Sequence, residues 1–232
     1  MTTFSQLVDD MVAETLRRDM VELTAEYLRQ TIRECHTNPD KKQSALFDDN
    51  LVEDQITASS DSLIWDVPDS GRFQKLLAVR YENVWMDDSP VYAKFVKPGR
   101  GQIDANYFYY RTGSSFAFKG FGGAYCTVSL AYYMFPRGLK YRKLADRKVT
   151  YDLESGFSYD TSLTTPELQA AALELETNWL IQRWSEVIRE GVRAKIYKRT
   201  GDDTRAVRCY SAFESARNTI WTAEGIQDGG WV

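Results

Sequence analysis

Helical periodicity at both ends of the chain, enclosing an aromatic, strand-like middle, is the pattern that most limits what this sequence can fold into. Near the C-terminus, Trp179-Leu-Ile-Gln-Arg-Trp-Ser-Glu-Val-Ile-Arg-Glu-Gly-Val-Arg-Ala-Lys-Ile-Tyr197 and Asp202-Asp-Thr-Arg-Ala-Val-Arg-Cys-Tyr-Ser-Ala-Phe-Glu-Ser-Ala-Arg-Asn-Thr-Ile-Trp221 carry helical periods, joined by Thr200-Gly201. Near the N-terminus, Leu7, Val8, Met11, Val12 and Leu16 follow the same period behind Ser5, a residue suited to cap a helix. Asp19-Met-Val-Glu22 has capping-box spacing for a second helix. That helix carries Leu23, Tyr27, Leu28, Thr31, Ile32 and Cys35 on one broad face and stops near His36, before the Asn38-Pro39-Asp40 turn. Apolar helix faces need a cover, and the economical cover for each end is the other end.

The middle reads differently. Ser62–Pro68, Leu76–Trp85, Val91–Val96 and Asn106–Arg111 are short and rich in aromatic and β-branched residues, which are strand signals. Ser115–Phe121 alternates with period two, and Gly122-Gly123 allows a bend before Tyr125–Phe135. Their spacing predicts a compact antiparallel sheet or small sandwich. Helical sequence resumes at Thr165-Pro166-Glu167, which supplies a cap, a first-turn proline and an early acid. It runs to about residue 199 with a break near 178–185, and a final helix extends to about residue 222. The expected fold is α+β: residues 1–39 and 160–223 form a helical bundle, 40–159 an inserted antiparallel β domain, and 224–232 an extended tail.

Composition narrows the function. The chain has 232 residues, enough for one large or two small domains, with formal net charge −4 and 13% aromatic residues. A protein that wraps DNA or RNA has to displace counterions from phosphates and is usually basic, so this balance does not favour tight nucleic-acid binding. No apolar run approaches the roughly 20 residues needed to cross a bilayer, and the first residues lack the basic start and apolar stretch of a signal peptide. Cys35, Cys126 and Cys209 are widely spaced and read as reduced thiols of a protein made in the cytosol.

Chemistry is sparse. His36 is the only histidine, so any Ser-His-Asp or Cys-His mechanism has to run through it. Its neighbour Cys35 points about 100° away on a helix. A position at the helix C-terminus, where imidazolium complements the dipole, is the plainer reading. The pairs Asp9/Asp10, Asp48/Asp49, Asp87/Asp88 and Asp202/Asp203 are adjacent acids in polar segments, expected to be solvated or capping. Asp48/Asp49 with Glu53 and Asp54 reads as an acidic surface loop. Lys119-Gly-Phe-Gly-Gly lacks phosphate-loop spacing and reads as a strand bend or hairpin. No catalytic residue, cofactor or metal site is expected.

Assembly signals are stronger. Gly191 inside a helix costs about 1 kcal/mol relative to Ala, which a close helix crossing justifies. Ala194 lies on nearly the same face, and Trp184 completes the helix-packing candidates. The tail Glu224-Gly-Ile-Gln-Asp-Gly-Gly-Trp-Val is too glycine-rich to fold alone. Its Ile226, Trp231 and Val232 are candidate contacts with a partner, Trp231 as an apolar anchor; a disordered end is the competing reading.

Together, Ala25-Glu-Tyr-Leu-Arg-Gln-Thr-Ile-Arg-Glu-Cys-His36 and the block Trp179–Trp221 resemble the head-to-tail adaptor (connector, tail-tubular-like) proteins of short-tailed bacteriophages. The likeness covers about two fifths of the chain and rests on pattern more than on an invariant motif. It implies a non-enzymatic structural virion protein, synthesised in the host cytoplasm and located at the head-tail interface. Its partners would be sister copies in a ring, commonly of twelve, then the portal protein and tail nozzle or fibre proteins. Viral DNA would pass through without sequence-specific binding, and no membrane is involved. In such proteins the C-terminal segment reaches into the portal, which would give Ile226, Trp231 and Val232 their contact. The competing expectation is a carbohydrate-binding or glycan-cleaving tail module using Trp85, Tyr107 and Tyr109 as a platform.

Overall fold

The computed structural model describes residues 2–37, 47–58, 62–69, 72–81, 84–85, 87–88, 108–119 and 126–224. The fold is α+β, and the chain divides into two compact units: residues 1–49 with 136–232, and residues 50–135.

Among the described residues, the first unit contains five α-helices: α1 (Phe4–Glu14), α2 (Val21–Cys35), α3 (Pro166–Glu176), α4 (Trp179–Thr200) and α5 (Asp203–Glu224). Its core draws on both chain ends, with Phe4, Leu7, Met11, Leu28 and Cys35 from the first helices and Leu180, Ile181, Ile188, Ile196, Phe213 and Ile220 from the last two, all fully or almost fully buried. Burying each such Phe, Leu or Ile stabilises the fold by roughly 1.5–3 kcal/mol before entropic costs, so neither end folds without the other.

Several local expectations are corrected. The cap of α1 is Thr3, whose hydroxyl accepts from Gln6 N while the Gln6 side chain reaches back. Ser5 lies inside the helix, where its hydroxyl accepts from Arg142 N at 2.9 Å. The predicted box at Asp19 does not form: α2 follows a 3-10 turn with Met20 at the cap position, and Asp19 pairs with Arg17 instead. Leu16 does not join the apolar face; it ends α1 at φ +55 and is 85% exposed.

Downstream, Thr165 caps α3 with Pro166 in the first turn. Asn178 accepts from Ile181 N to start α4, and Trp184 (φ −125, ψ 30) kinks it. Gly201 at φ +80 ends α4 in the left-handed region, and the Asp202 carboxylate accepts from Arg205 N to begin α5, which runs to Glu224. Residues 136–159, expected in the β domain, belong to the first unit. They include the hairpin β9 (Val149–Asp152)/β10 (Gly156–Tyr159), tied to α1 by Gln6 Nε2 donating to the Tyr151 carbonyl at 2.6 Å and Tyr151 N donating to Gln6 Oε1 at 2.9 Å. Two short strands carried too few alternating positions to signal this.

Among the described residues, the second unit has two four-stranded sheets. One has the order β1 (Leu51–Ala58), β8 (Cys126–Met134), β3 (Phe73–Tyr81), β4 (Val84–Trp85); the other is β2 (Ser62–Asp66), β7 (Ser115–Lys119), β6 (Phe108–Thr112), β5 (Asp87–Asp88). All pairings are antiparallel except β5 with β6. Trp65 and Phe116 of one sheet meet Tyr132 and Phe73 of the other, with the Trp65 and Tyr132 rings 5.0 Å apart, so the unit is a small sandwich. Strand β1 corrects the acidic-loop reading: Glu53 and Asp54 lie in a strand paired along its length with β8. Ile56 and Val52 pack on the core from alternate positions, a signal masked by the intervening charges. The segment 91–96 and the glycines of 120–123 lie outside the described residues.

Candidate functional site

His36 is 1% exposed, with Nδ1 2.8 Å from the Ile32 carbonyl and Phe47 and Trp179 edge-on at 5.3 and 6.0 Å. Burial lowers its pKa to about 4, so the ring is neutral at pH 7. It does sit at the C-terminal cap of α2 as expected, yet as a buried neutral ring and not as an imidazolium. Desolvation also pushes the Cys35 thiol up to about 12, leaving no thiolate for catalysis.

Among the described side chains, Asp9, Asp10, Asp49 and Asp202 are each engaged separately. Asp9 binds Arg147 and the Tyr141 hydroxyl, Asp10 pairs with Arg189, Asp49 with Arg183, and Asp202 caps α5. Among the described residues, no group of three His, Cys, Asp or Glu is placed to hold a metal ion. A depression of about 710 Å³ on the β unit is lined by Glu53, Asp54, Gln55, Arg80 and Ser129. Glu53, Gln55 and Arg80 are exposed there, so the depression offers no low-dielectric environment to drive an acid and a base apart.

What the first unit does present is a close-packed helical hairpin with a groove on it. Helix α4 crosses α2 and α5 at Gly191, where a Cβ would lie 2.5 Å from Thr31 Cγ2 and 3.0 Å from Phe213 Cδ2. Ala194, one turn on, is 5% exposed, and Trp184 packs partly buried against the same core. Salt bridges flank the crossing: Lys195 to Glu34 at 2.6 Å, Arg189 to Asp10 at 2.7 Å and Arg193 to Glu14 at 2.5 Å. Beside it, Glu34, Ala194, Lys195, Lys198, Asp203, Ala206, Val207 and Tyr210 line a largely apolar groove of about 460 Å³. Val207 and Tyr210 are 69% and 55% exposed, which is unusual for apolar residues grouped beside a groove.

No sequence signal singles out Val207 or Tyr210, because a helix facing solvent on one side and a groove on the other shows no simple period. The same holds for Glu176, 1% exposed beside Arg142 at 3.1 Å, whose carboxyl burial holds above the usual range. The partner-contact candidates Ile226, Trp231 and Val232 lie outside the described residues. Tyr107 does too, and the side chains of Trp85 and Tyr109 are likewise not described.

No protein-family model matches the chain, and no curated protein is detectably similar to it. Among the described residues, no helix is long and apolar enough to cross a membrane.

Proposed function

We propose that the protein is a non-enzymatic structural component of a tailed virion: a ring-forming head-to-tail adaptor that docks under the portal and continues the DNA channel. In this reading the inserted β unit faces the tail nozzle or fibres. The observation that carries it is the construction of one helical core from α1, α2, α4 and α5, with residues 50–135 emerging as a separate sandwich. A ring subunit needs one rigid body presenting two different faces to its neighbours and a second body free to address another partner. Further support comes from the likeness of residues 25–36 and 179–221 to adaptor helices and from an overall charge of −4, which does not grip passing phosphate.

The test is to mix the protein with rings of the portal from the same virion and examine the product by native mass spectrometry and electron microscopy. The expected result is a defined ring of this chain on one face of the portal, with about twelve copies as the resemblance implies. A protein that leaves portal rings bare at high concentration overturns the reading. Calorimetric binding to host polysaccharide under the same conditions would move the assignment to a glycan-binding tail module.

A further inference from the structure

Among the described residues, helix α3 has little cover beyond its contact with β9. It has only eleven residues, a length that is marginal in water unless an apolar face is packed. Yet Glu176 is its one buried residue. Leu168 and Leu175 are 48% and 43% exposed, and with Ala171 and Ala172 between them they form one stripe at helical spacing. Glu167 and Glu174, also seven residues apart, run along one flank of that stripe.

The charge around α3 is one-sided. From residue 149 to 182 the sequence holds six acids (Asp152, Glu154, Asp160, Glu167, Glu174, Glu176) and no Lys or Arg. The sequence around the α4–α5 groove has the opposite balance, although Glu34 inside the groove pairs with Lys195 and Asp203 also lines it. Residues 193–208 carry Arg193, Lys195, Lys198, Arg199, Arg205 and Arg208 against two acids, Asp202 and Asp203. An apolar stripe with an acidic flank and an apolar groove with a basic rim thus occur on one compact unit, and both are solvent-exposed within a single copy. Charge also discriminates against one further exposed apolar residue, Leu16 after helix α1, which is followed by Arg17 and Arg18.

We infer that α3 of one copy docks in the α4–α5 groove of the next, Leu168 and Leu175 against Val207 and Tyr210, with Glu167 and Glu174 along the exposed Lys198 and Arg199 edge. The contact is head-to-tail, because the two faces differ, and it propagates to a closed ring when the rotation between copies allows. It gives the proposed ring its subunit interface and rests on that reading only for closure; the pairwise contact stands without portal or virion.

Two measurements test it. Sedimentation velocity at low salt reads self-association of the full chain. Glu167→Lys with Glu174→Lys weakens it about tenfold, by placing like charges together. Adding Lys198→Glu and Arg199→Glu to the same chain restores it, and raising salt weakens the parent. All four residues are exposed, so folding is preserved, checked by circular dichroism. In a Cys126→Ser, Cys209→Ser background, Leu168→Cys and Val207→Cys proteins are then treated with a short bis-maleimide. Cross-linked dimer is expected only when the two are mixed. Equal cross-linking of Leu168→Cys alone, no cross-link in the mixture, association unchanged by charge reversal, or a chain that stays monomeric at the highest concentration tested each overturns the inference. Cross-linking without portal binding keeps it while sinking the adaptor reading; a ring on portal without the cross-link does the reverse.

Discussion

Gly191 and Thr31 touch: the space a Cβ at Gly191 would occupy lies 2.5 Å from Thr31 Cγ2, closer than side-chain atoms approach one another. Thr31 cannot swing away freely, because its hydroxyl donates to the Tyr27 carbonyl at 2.8 Å and its branched Cβ is stiff. Behind it stands Phe213, fully buried.

The consequence for Gly191→Ala is a contest between two terms. Alanine favours the helix by about 1 kcal/mol, while overpacking a rigid crossing costs about 1–3 kcal/mol. Neither neighbour yields easily, so the crossing wins and the variant loses about 1–2 kcal/mol by chemical denaturation. Thr31→Ser removes the offending methyl and keeps the hydrogen bond. The double variant should therefore recover at least half of the loss in a mutant cycle. A Gly191→Ala protein more stable than the parent would show that the helices can simply move apart.

Acid should unfold the helical unit partly through His36. Its pKa falls from about 6.5 unfolded to about 4 folded, so the unfolded state binds the proton more readily. The stabilisation is fully present above pH 6.5 and is lost progressively as pH falls towards 4, at up to about 1.4 kcal/mol per pH unit. His36→Gln keeps a polar group near the Ile32 carbonyl without titrating. Its stability should vary less than the parent's between pH 6.5 and 4, followed by urea denaturation at half-unit steps. Parallel slopes for the two proteins would remove His36 as a contributor.

Thiol reactivity should separate the two described cysteines. Burial raises Cys35 to about 12, and burial together with a hydrogen bond to Glu190 raises Cys209 to about 11. At pH 8 both are almost wholly protonated, and thiolate is the reactive form. Cys209 is only half-buried and should react slowly with iodoacetamide; Cys35 should react only as the protein unfolds. Peptide mass spectrometry across a urea series checks the order. Prompt labelling of Cys35 in buffer would mean the α2–α5 contact opens without global unfolding.

The helical half of the fold was readable because its signals are local. Thr165-Pro166, the break around Asn178–Trp184 and Gly201 each act within a few residues, and each is where the structure turns. The N-terminal caps were misread because Thr3, Ser5 and Asp19 are all competent cap residues, and other bonds decide among them: Ser5 serves the distant Arg142 and Asp19 its near neighbour Arg17. Strand β1 was hidden because Glu53, Asp54 and Gln55 dilute its apolar alternation, and the partner strand that defines it pairs at separations from 68 (Ala58 with Cys126) to 82 residues (Leu51 with Tyr133). The docking surfaces were least legible. An uncovered stripe on α3 looks in sequence like any amphipathic helix, and only the exposure of Leu168 and Leu175 shows that the described residues leave it open. The one-signed charge of residues 149–182 was the available clue.

Leu16 offers a final prediction that separates stability from assembly. It closes α1 in a left-handed conformation, with Arg17 N donating to the Val12 carbonyl at 3.1 Å and Leu16 N to the Ala13 carbonyl at 3.3 Å. Glycine is the usual residue at such a helix end, because a Cβ there costs roughly 1–2 kcal/mol. Leucine's side chain is 85% exposed, so it recovers almost nothing by burial. Leu16→Gly should therefore leave stability unchanged or raise it by about 0.5–1 kcal/mol, after the added unfolded-state entropy of glycine is set against the relieved strain. If the α3–groove contact is the interface between copies, the same variant leaves self-association at the parent level, because Leu16 belongs to neither face. Unfolding curves and sedimentation velocity on one preparation check both halves. A stabilised monomer that no longer associates would move the interface to the α1 end of the helical unit.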